Sequence, residues 1–304
     1  MQQMTSRYFF YGNAAAISGH IWRPQAYDIA LDCGASSLTP AGGISRSRAD
    51  GSTFSGHGFV RFKTAETLAE GRYGAPRAAA GVAPGPVPPT LPAITTVLAE
   101  VVGLEVGNPA RVKVDLVRAV MTSTNPSATL EPPIQLAPET AISGISIDGE
   151  PLDVAIDHAF YQQYDTRSKL VAACQDPKFT QTYEPLLMLS APPPPPAPPA
   201  AFSPTAIGIR TRAAQPPAPP SLVCKDPMYA TVVGRLAWKN IQQHPTARIA
   251  GHTIAVKDFG TLFFGEILVG TNTRRINMLR FEFGSPDEGD MAVCSGGSNG
   301  GWVP

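Results

Sequence analysis

The stretch TTVLAEVVGLEVGNPARVKVDLVRAVM, residues 95–121, decides the fold. Residues 95–106 are rich in Val and Leu, and residues 111–121 alternate apolar side chains with charged ones. An alternation of period two is typical of a β-strand with one buried face and one solvated face. The Gly-Asn-Pro sequence at residues 107–109 separates the two runs and favours a turn. The stretch therefore predicts an antiparallel hairpin of two long strands.

A second hairpin and several further strands are predicted outside this stretch. Residues 142–147 and 152–156 flank Asp148-Gly149, and Asp-Gly between two apolar runs is a strong hairpin signal. Residues 40–56 are polar and rich in glycine, so we predict a loop there. Elsewhere, apolar or alternating runs predict strands at residues 7–11, 14–22, 27–31, 58–63, 229–238 with a bulge at Gly234, 247–256, 262–269, 274–283 and 291–294.

One short helix is predicted, near residues 165–174. Asp165 or Thr166 can cap its first turn, and Asp176-Pro177 ends it. Many strands, turn signals every ~8–12 residues and a single helix are typical of one fold class. We expect an all-β, mostly antiparallel sandwich or barrel with proline-rich insertions.

Proline-rich segments divide the chain. Residues 75–93 hold six prolines, and residues 191–220 hold twelve. Proline fixes φ and donates no backbone hydrogen bond, so both segments are predicted to be extended or irregular. We expect a β-rich region at 1–190, an insertion or linker at 191–220, and a β-rich region at 221–304 that completes the same sandwich. Deletion of residues 192–199 should leave the fold intact.

Charge and hydropathy exclude several classes of protein. Lys and Arg total 24, Asp and Glu also total 24, and charged residues are only 16% of the 304. A neutral chain without a basic stripe is not expected to bind nucleic acid. No run of about 18 apolar residues is present, so no membrane span is predicted. The N-terminus lacks the pattern of a secretory signal, which favours a cytoplasmic location.

The four cysteines are Cys33, Cys174, Cys224 and Cys294. They form no C-x-x-C motif and no zinc-ligand spacing with histidine, so we predict no metal and no cofactor. Two disulfides and four free thiols both remain open. A Cys174–Cys224 disulfide would close the ends of the proline-rich insertion in a loop of about 50 residues.

Residues 29–36, IALDCGAS, resemble the active-site motif of aspartic proteases. The resemblance implies that Asp32 is a catalytic carboxylate that shares a proton with a second one, and that Gly34 permits the turn. Cys33 replaces the hydroxyl residue of that motif, and no second copy occurs, so a homodimer would have to supply the other carboxylate. Arg46 and Arg48 are expected nearby, where cations would oppose a shared proton. We predict that Asp32 is not catalytic.

Other candidate motifs have simpler explanations. Ser298 lies in a G-x-S-x-G sequence, but the nucleophile elbow needs a following helix, and glycine richness explains the match. Asp287, Glu288 and Asp290 could offer oxygen ligands to Ca²⁺, although their spacing favours a solvated turn. Six aromatic residues could form a platform for carbohydrate: Tyr8, Phe9, Phe10, Tyr11, Phe263 and Phe264. Neighbouring strand residues point to opposite faces, so half of each aromatic run is expected in the core.

These observations favour a non-enzymatic β-sandwich that acts as a structural or binding protein, including one that assembles with copies of itself. A protein partner or self-association is expected, because interfaces with few charges are easily desolvated. Two alternatives stay open. One is an aspartic-protease-like hydrolase centred on Asp32, and the other is a carbohydrate-binding module.

Overall fold

Two large antiparallel sheets pack face to face in the computed structural model, and the predicted all-β sandwich is confirmed. The structure describes residues 7–23, 26–29, 34–53, 58–74, 91–126, 131–173, 228–271, 273–284 and 288–303. One continuous hydrophobic core, with Val101, Val117 and Phe281 fully buried, fills the space between the sheets.

The first sheet has ten strands: β5 (Gly43–Asp50), β6 (Val60–Arg61), β7 (Thr64–Tyr73), β8 (Ala93–Val106), β9 (Val112–Asn125), β10 (Ile134–Leu136), β11 (Ala141–Ser143), β12 (Ser146–Ile147), β13 (Glu150–Ile156) and β15 (Val233–Trp238). Its main strand order is β15-β13-β12-β9-β8-β7-β5. β10 and β11 pair with β9, and β6 pairs with β8. β5 therefore forms one edge of this sheet.

The second sheet has nine strands: β2 (Gly12–Arg23), β3 (Tyr27–Asp28), β4 (Ala35–Ser37), β14 (Met228–Thr231), β16 (Ala247–Ala250), β17 (Thr253–Val256), β18 (Gly260–Val269), β19 (Arg274–Phe283) and β20 (Glu288–Ser298). Its main strand order is β16-β17-β18-β19-β20-β2-β3. A small two-stranded sheet pairs β1 (Arg7–Phe9) with β21 (Gly301–Val303). N-terminal β2 thus lies beside C-terminal β20.

Both predicted hairpins are confirmed. β8 and β9 pair along almost their full length, and β12 pairs with β13. The turn of the second hairpin has Asp148 at φ 49° and Gly149 at φ 87°. Two consecutive left-handed residues are the geometry that two-residue turns require to match the twist of the flanking strands.

Side-chain alternation reverses along a line that crosses both sheets. From Thr95 onward, the buried residues of β8 are odd-numbered up to Val101 and even-numbered from Leu104, and Gly103 between them has φ 65°. The same reversal occurs in β18 at Gly265 and in β20 at Cys294, both also left-handed. Cys294 Sγ donates to the Val117 carbonyl of the facing sheet, which brings the two lines together. In both sheets, therefore, the set of residues that points to the core switches between odd and even numbers at one level, and the two inner faces stay in contact.

Several local predictions were wrong. Residues 43–50 form β5 rather than a loop. This edge strand lies close to β4, so its inward positions accommodate only small side chains, and a polar, glycine-rich sequence is compatible with it. The predicted strand at 58–63 shrinks to β6, and β7 follows it. The strand at 229–238 breaks at Val232, because the chain crosses there from the second sheet to the first. The predicted bulge at Gly234 is confirmed, since Ala155 pairs with Arg235 and Ile156 with Val233, which leaves Gly234 unpaired.

Two short helices replace the single predicted one: α1 (His158–Gln163) and α2 (Arg167–Ala173). α2 occupies the predicted position, and Thr166 Oγ1 accepts a hydrogen bond from the Lys169 N–H at 3.3 Å, as its capping role requires. α1 is capped by Asp157, whose side chain accepts from the Phe160 N–H. No helix of the described residues is long and apolar enough to cross a membrane.

Several predictions lie outside the described residues. These concern Cys33, Cys174, Cys224, residues 191–220 and most of residues 75–93. The proposed disulfide, the extended proline segments and the division into regions stay predictions.

Candidate functional site: the open edge of the first sheet

Strand β5 lies at one edge of the first sheet. All eight of its residues pair with β7, and no other strand of the described residues pairs with it. An edge strand presents unpaired backbone N–H and C=O groups along its outer side. β5 contains no proline that would interrupt this row. The backbone of β5 can therefore form hydrogen bonds with an added strand along its whole length.

The two faces of β5 differ in side-chain size. Ser45, Ser47 and Ala49 are half-buried and point toward the second sheet, where β4 lies close to β5. A hydrogen bond of 2.7 Å between the buried Ser36 and Thr67 hydroxyls links β4 to the neighbouring strand β7. The inward residues are small because β4 leaves little room beneath them.

The outward face of β5 carries long side chains. Ile44 is 64% exposed, and Arg46, Arg48 and Asp50 follow it at every second position. Neither arginine forms an ion pair with any described residue. The Ser52 N–H donates to Asp50 Oδ1 at 2.9 Å, and this bond holds the pKa of Asp50 below its usual value. The edge thus presents one apolar side chain and two available cations.

An apolar stripe continues this surface across the sheet. Leu68 lies opposite Arg46, Leu98 opposite Leu68, and Val120 opposite Leu98, all half-buried on the outer face. The next row contains Glu66, Glu100 and Arg118, and Glu100 pairs with Arg118. We call Ile44, Arg46, Arg48, Leu68 and Leu98 the edge surface.

Asp32 lies outside the described residues, so its predicted role is not resolved. Nearby, Gly34 has φ 76°, a left-handed conformation that favours glycine. A side chain built at Gly34 would lie 3.9 Å from Ser47 Oγ, so Gly34 faces the inward side of β5. Arg46 and Arg48 point to the opposite face. The prediction that Asp32 is not catalytic stays a prediction.

The aromatic prediction holds for one run and fails for the other. Burial alternates along residues 8–11, with Tyr8 and Phe10 in the core and Phe9 and Tyr11 each 48% exposed. Phe263 and Phe264 are both buried. The Arg280 guanidinium lies 3.7 Å from the centre of the Phe263 ring, and Arg280 is held there by a bidentate ion pair with Glu266. This pair covers a face that alternation alone would leave exposed.

The remaining motifs lie in regular strands. Glu288 and Asp290 belong to β20, not to a solvated turn, and Ser298 is buried at the end of the same strand. Asp287 is outside the described residues. No group of three or more His, Cys, Asp or Glu side chains with the geometry of a metal site occurs in the described part of the chain.

Comparison with known protein families gives a match over most of the chain. The model of a family described as a domain of unknown function, DUF8256, matches residues 8–270. No curated protein and no solved structure matches the chain.

Proposed function

We propose a non-enzymatic, protein-binding role for this chain, which belongs to the family of domains of unknown function DUF8256. The edge of β5, with which no second described strand pairs, is the observation that carries the proposal. An extended segment of a partner would add to the first sheet as a further strand. Main-chain hydrogen bonds supply affinity in this mode, and side chains at alternate positions supply specificity.

The outward side chains select the partner's chemistry. Antiparallel neighbours set side chains directly opposite each other on the same face. Acidic residues at alternate positions of the incoming strand would lie opposite Arg46 and Arg48, and an apolar residue would lie opposite Ile44. The partner is therefore an extended segment in which acidic and apolar residues share one face.

A second copy of β5 fits this edge poorly. Two copies related by a two-fold axis, with their outward faces on the same side, place an arginine of one copy opposite an arginine of the other in the registers of greatest overlap. Like charges directly opposite each other destabilise a strand pair. This argument supports a different protein as the occupant of β5, and the self-association that the sequence suggested would need another surface.

The test uses two blocked, fluorescent peptides of equal length that alternate Thr with the residues meant for the outward face: the Glu peptide has Glu, Glu and Val at successive alternate positions, and the Lys peptide has Lys, Lys and Val there. Fluorescence anisotropy should show binding of the Glu peptide to the full chain and much weaker binding of the Lys peptide. The double variant Arg46→Glu/Arg48→Glu should bind the Glu peptide about tenfold more weakly, or about 1.4 kcal/mol. Raising the salt concentration should also weaken binding.

Arg248→Glu is the matched control. Arg248 is an exposed arginine on β16, the four-residue edge strand of the second sheet. Its reversal should leave the affinity unchanged. Equal affinity of both peptides, or an equal loss in Arg248→Glu, would refute the assignment of β5.

A further inference from the structure

The outer face of the second sheet, at the end near both chain termini, differs from the edge surface. Four adjacent strands place Arg275, Gly297, Asn13 and Ser37 side by side in one row. The neighbouring row contains Asn277, Ser295, Ala15 and Ala35. Amides and hydroxyls thus dominate here, and Arg275 is the one charged side chain in the two rows.

Two exposed aromatic rings border these rows. Burial alternates from Tyr8 to Ala14, so Phe9, Tyr11 and Asn13 point to the same outer face. Phe9 lies opposite Gly301 on β21, where an added side chain would meet no atom within 4 Å. The rings therefore stand beside open space. Phe9 and Asn13 are about 13 Å apart along the extended chain.

The polar groups on this face have unused hydrogen-bonding capacity. Within the described residues, the side chains of Asn13, Ser37 and Arg275 make no hydrogen bond. Asn277 Oδ1 accepts from Ser295 Oγ at 2.9 Å, and Asn299 Oδ1 accepts from Thr273 Oγ1 at 2.9 Å. Each of these bonds leaves the amide nitrogen available as a donor. Donors and acceptors are mixed, as a ligand with many hydroxyl groups requires.

Gly297 has no side chain, so the protein surface is recessed at the centre of the row. A side chain there would lie 2.7 Å from Asn13 Oδ1 and 3.3 Å from Arg275 Cγ, so these two side chains flank the glycine closely. Aromatic rings present a large apolar face with little conformational entropy to lose. A flat ligand could stack on Phe9 and Tyr11 while its polar edge reaches Asn13 and Arg275.

We propose that Phe9, Tyr11, Asn13 and Arg275 form a binding site for a neutral oligosaccharide. Uncharged amides and hydroxyls complement sugar hydroxyls, and the apolar faces of sugar rings complement the two aromatic side chains. The two described rows contain a single cation, Arg275, whereas nucleic-acid binding needs several phosphate contacts. β5 contributes no residue to this site, which is formed by β1, the residues after it, β2 and β19.

The test is isothermal titration of the full chain with cellohexaose, laminarihexaose and chitohexaose as neutral ligands, and with hexagalacturonate as a charged one. At least one neutral hexasaccharide should bind more tightly than hexagalacturonate. Phe9→Ala/Tyr11→Ala should weaken that binding at least tenfold, and Asn13→Ala should weaken it about threefold. Thermal unfolding of each variant shows whether the fold is intact.

Trp22→Ala is the matched control, because Trp22 is 49% exposed but lies at the far end of β2. It should bind as tightly as the unaltered chain. The proposal is overturned if no neutral hexasaccharide binds, or if Trp22→Ala loses as much affinity as the double variant. It is also overturned if sedimentation shows that Phe9 and Tyr11 are covered by a second copy and that their removal yields monomers.

Discussion

The β8–β9 hairpin and strand β5 belong to the same sheet, yet they are built for different tasks. β8 has a strand on each side and buries large residues such as Leu104 and Val101 in the core. β5 has a strand on one side only and turns serine and alanine inward. Its large side chains, Ile44 and the two arginines, face solvent.

This difference separates stability from binding. Burial of apolar area between the sheets is the main source of folding free energy, and the central strands contribute most of it. An edge strand with small inward residues contributes little and is free to vary its outward face. Substitutions in the two regions should therefore have opposite consequences, and the following four predictions test this in order of decreasing effect on stability.

Leu104→Ala in β8 should have the largest effect on stability. Leu104 is 1% exposed, and its truncation removes buried methyl groups and leaves a cavity. We expect a loss of about 3 kcal/mol in the free energy of unfolding. Urea unfolding followed by circular dichroism measures it. A loss below about 1 kcal/mol would show that the hairpin is not the stable centre of the sheet.

Gly103→Ala should have the next largest effect, because it changes the line where the strands reverse their alternation. Its φ of 65° is costly for any residue with a side chain, and an added Cβ would approach the Lys63 side chain at 2.8 Å. The expected loss is about 1–2 kcal/mol. Gly301→Ala is the control, since open space surrounds that position, and urea unfolding should separate the two variants.

The pH dependence of stability should come from the interior rather than from β5. His252 is 2% exposed, its ring nitrogens have no hydrogen-bond partner in the described residues, and burial lowers its pKa. Glu266 on β18 opposes that shift, and Arg280 on β19 adds to it. The unfolded chain therefore binds a proton at about pH 6.5 that the folded chain does not.

Stability should fall as the pH decreases below about 6.5, by up to about 1.4 kcal/mol per pH unit, until the folded-state pKa is reached. The stability contributed by the neutral ring is fully present above pH 6.5. Urea unfolding between pH 5 and 8 measures how steeply the free energy of unfolding depends on pH. His252→Leu should reduce this slope by the amount that corresponds to one bound proton. An unchanged slope in that variant would contradict the assignment.

Ile44→Ala in β5 should have the smallest effect. The side chain is mostly in water, so the free energy of unfolding should change by less than about 0.5 kcal/mol. The same variant should bind the Glu peptide more weakly, because the Val of the incoming strand loses its apolar contact with Ile44. If Ile44→Ala destabilises the chain as much as Leu104→Ala does, β5 is covered and the comparison fails.

The sequence predicted the sandwich well where one face of a strand is strongly apolar. Both hairpins and the strand at residues 274–283 follow from alternation and turn residues, and the strand at residues 262–269 follows from its near-continuous apolar run. The reversal at Gly103, Gly265 and Cys294 was not predictable, because it depends on two sheets bending together. It makes the affected strands resemble continuous apolar runs.

The candidate sites were harder to predict than the fold. In β5, Ile44, Arg46 and Arg48 do alternate with small residues, and this period of two was the available signal. Its inward residues are serine and alanine, so hydropathy did not mark the strand. The exposure of Phe9 and Tyr11 was predictable from alternation, whereas the burial of Phe263 depends on an ion pair between strands that only the fold brings together.

Amide hydrogen exchange along β5 tests the central claim most directly. In the free chain, the N–H groups of β5 that point to the free edge of the sheet should exchange rapidly, while those bonded to β7 exchange slowly. Saturation with the Glu peptide should protect the N–H groups at the free edge of β5 and leave β8 and β9 unchanged. The account would be contradicted if all β5 amides were already protected in the free chain, or if the saturating peptide left their exchange unchanged.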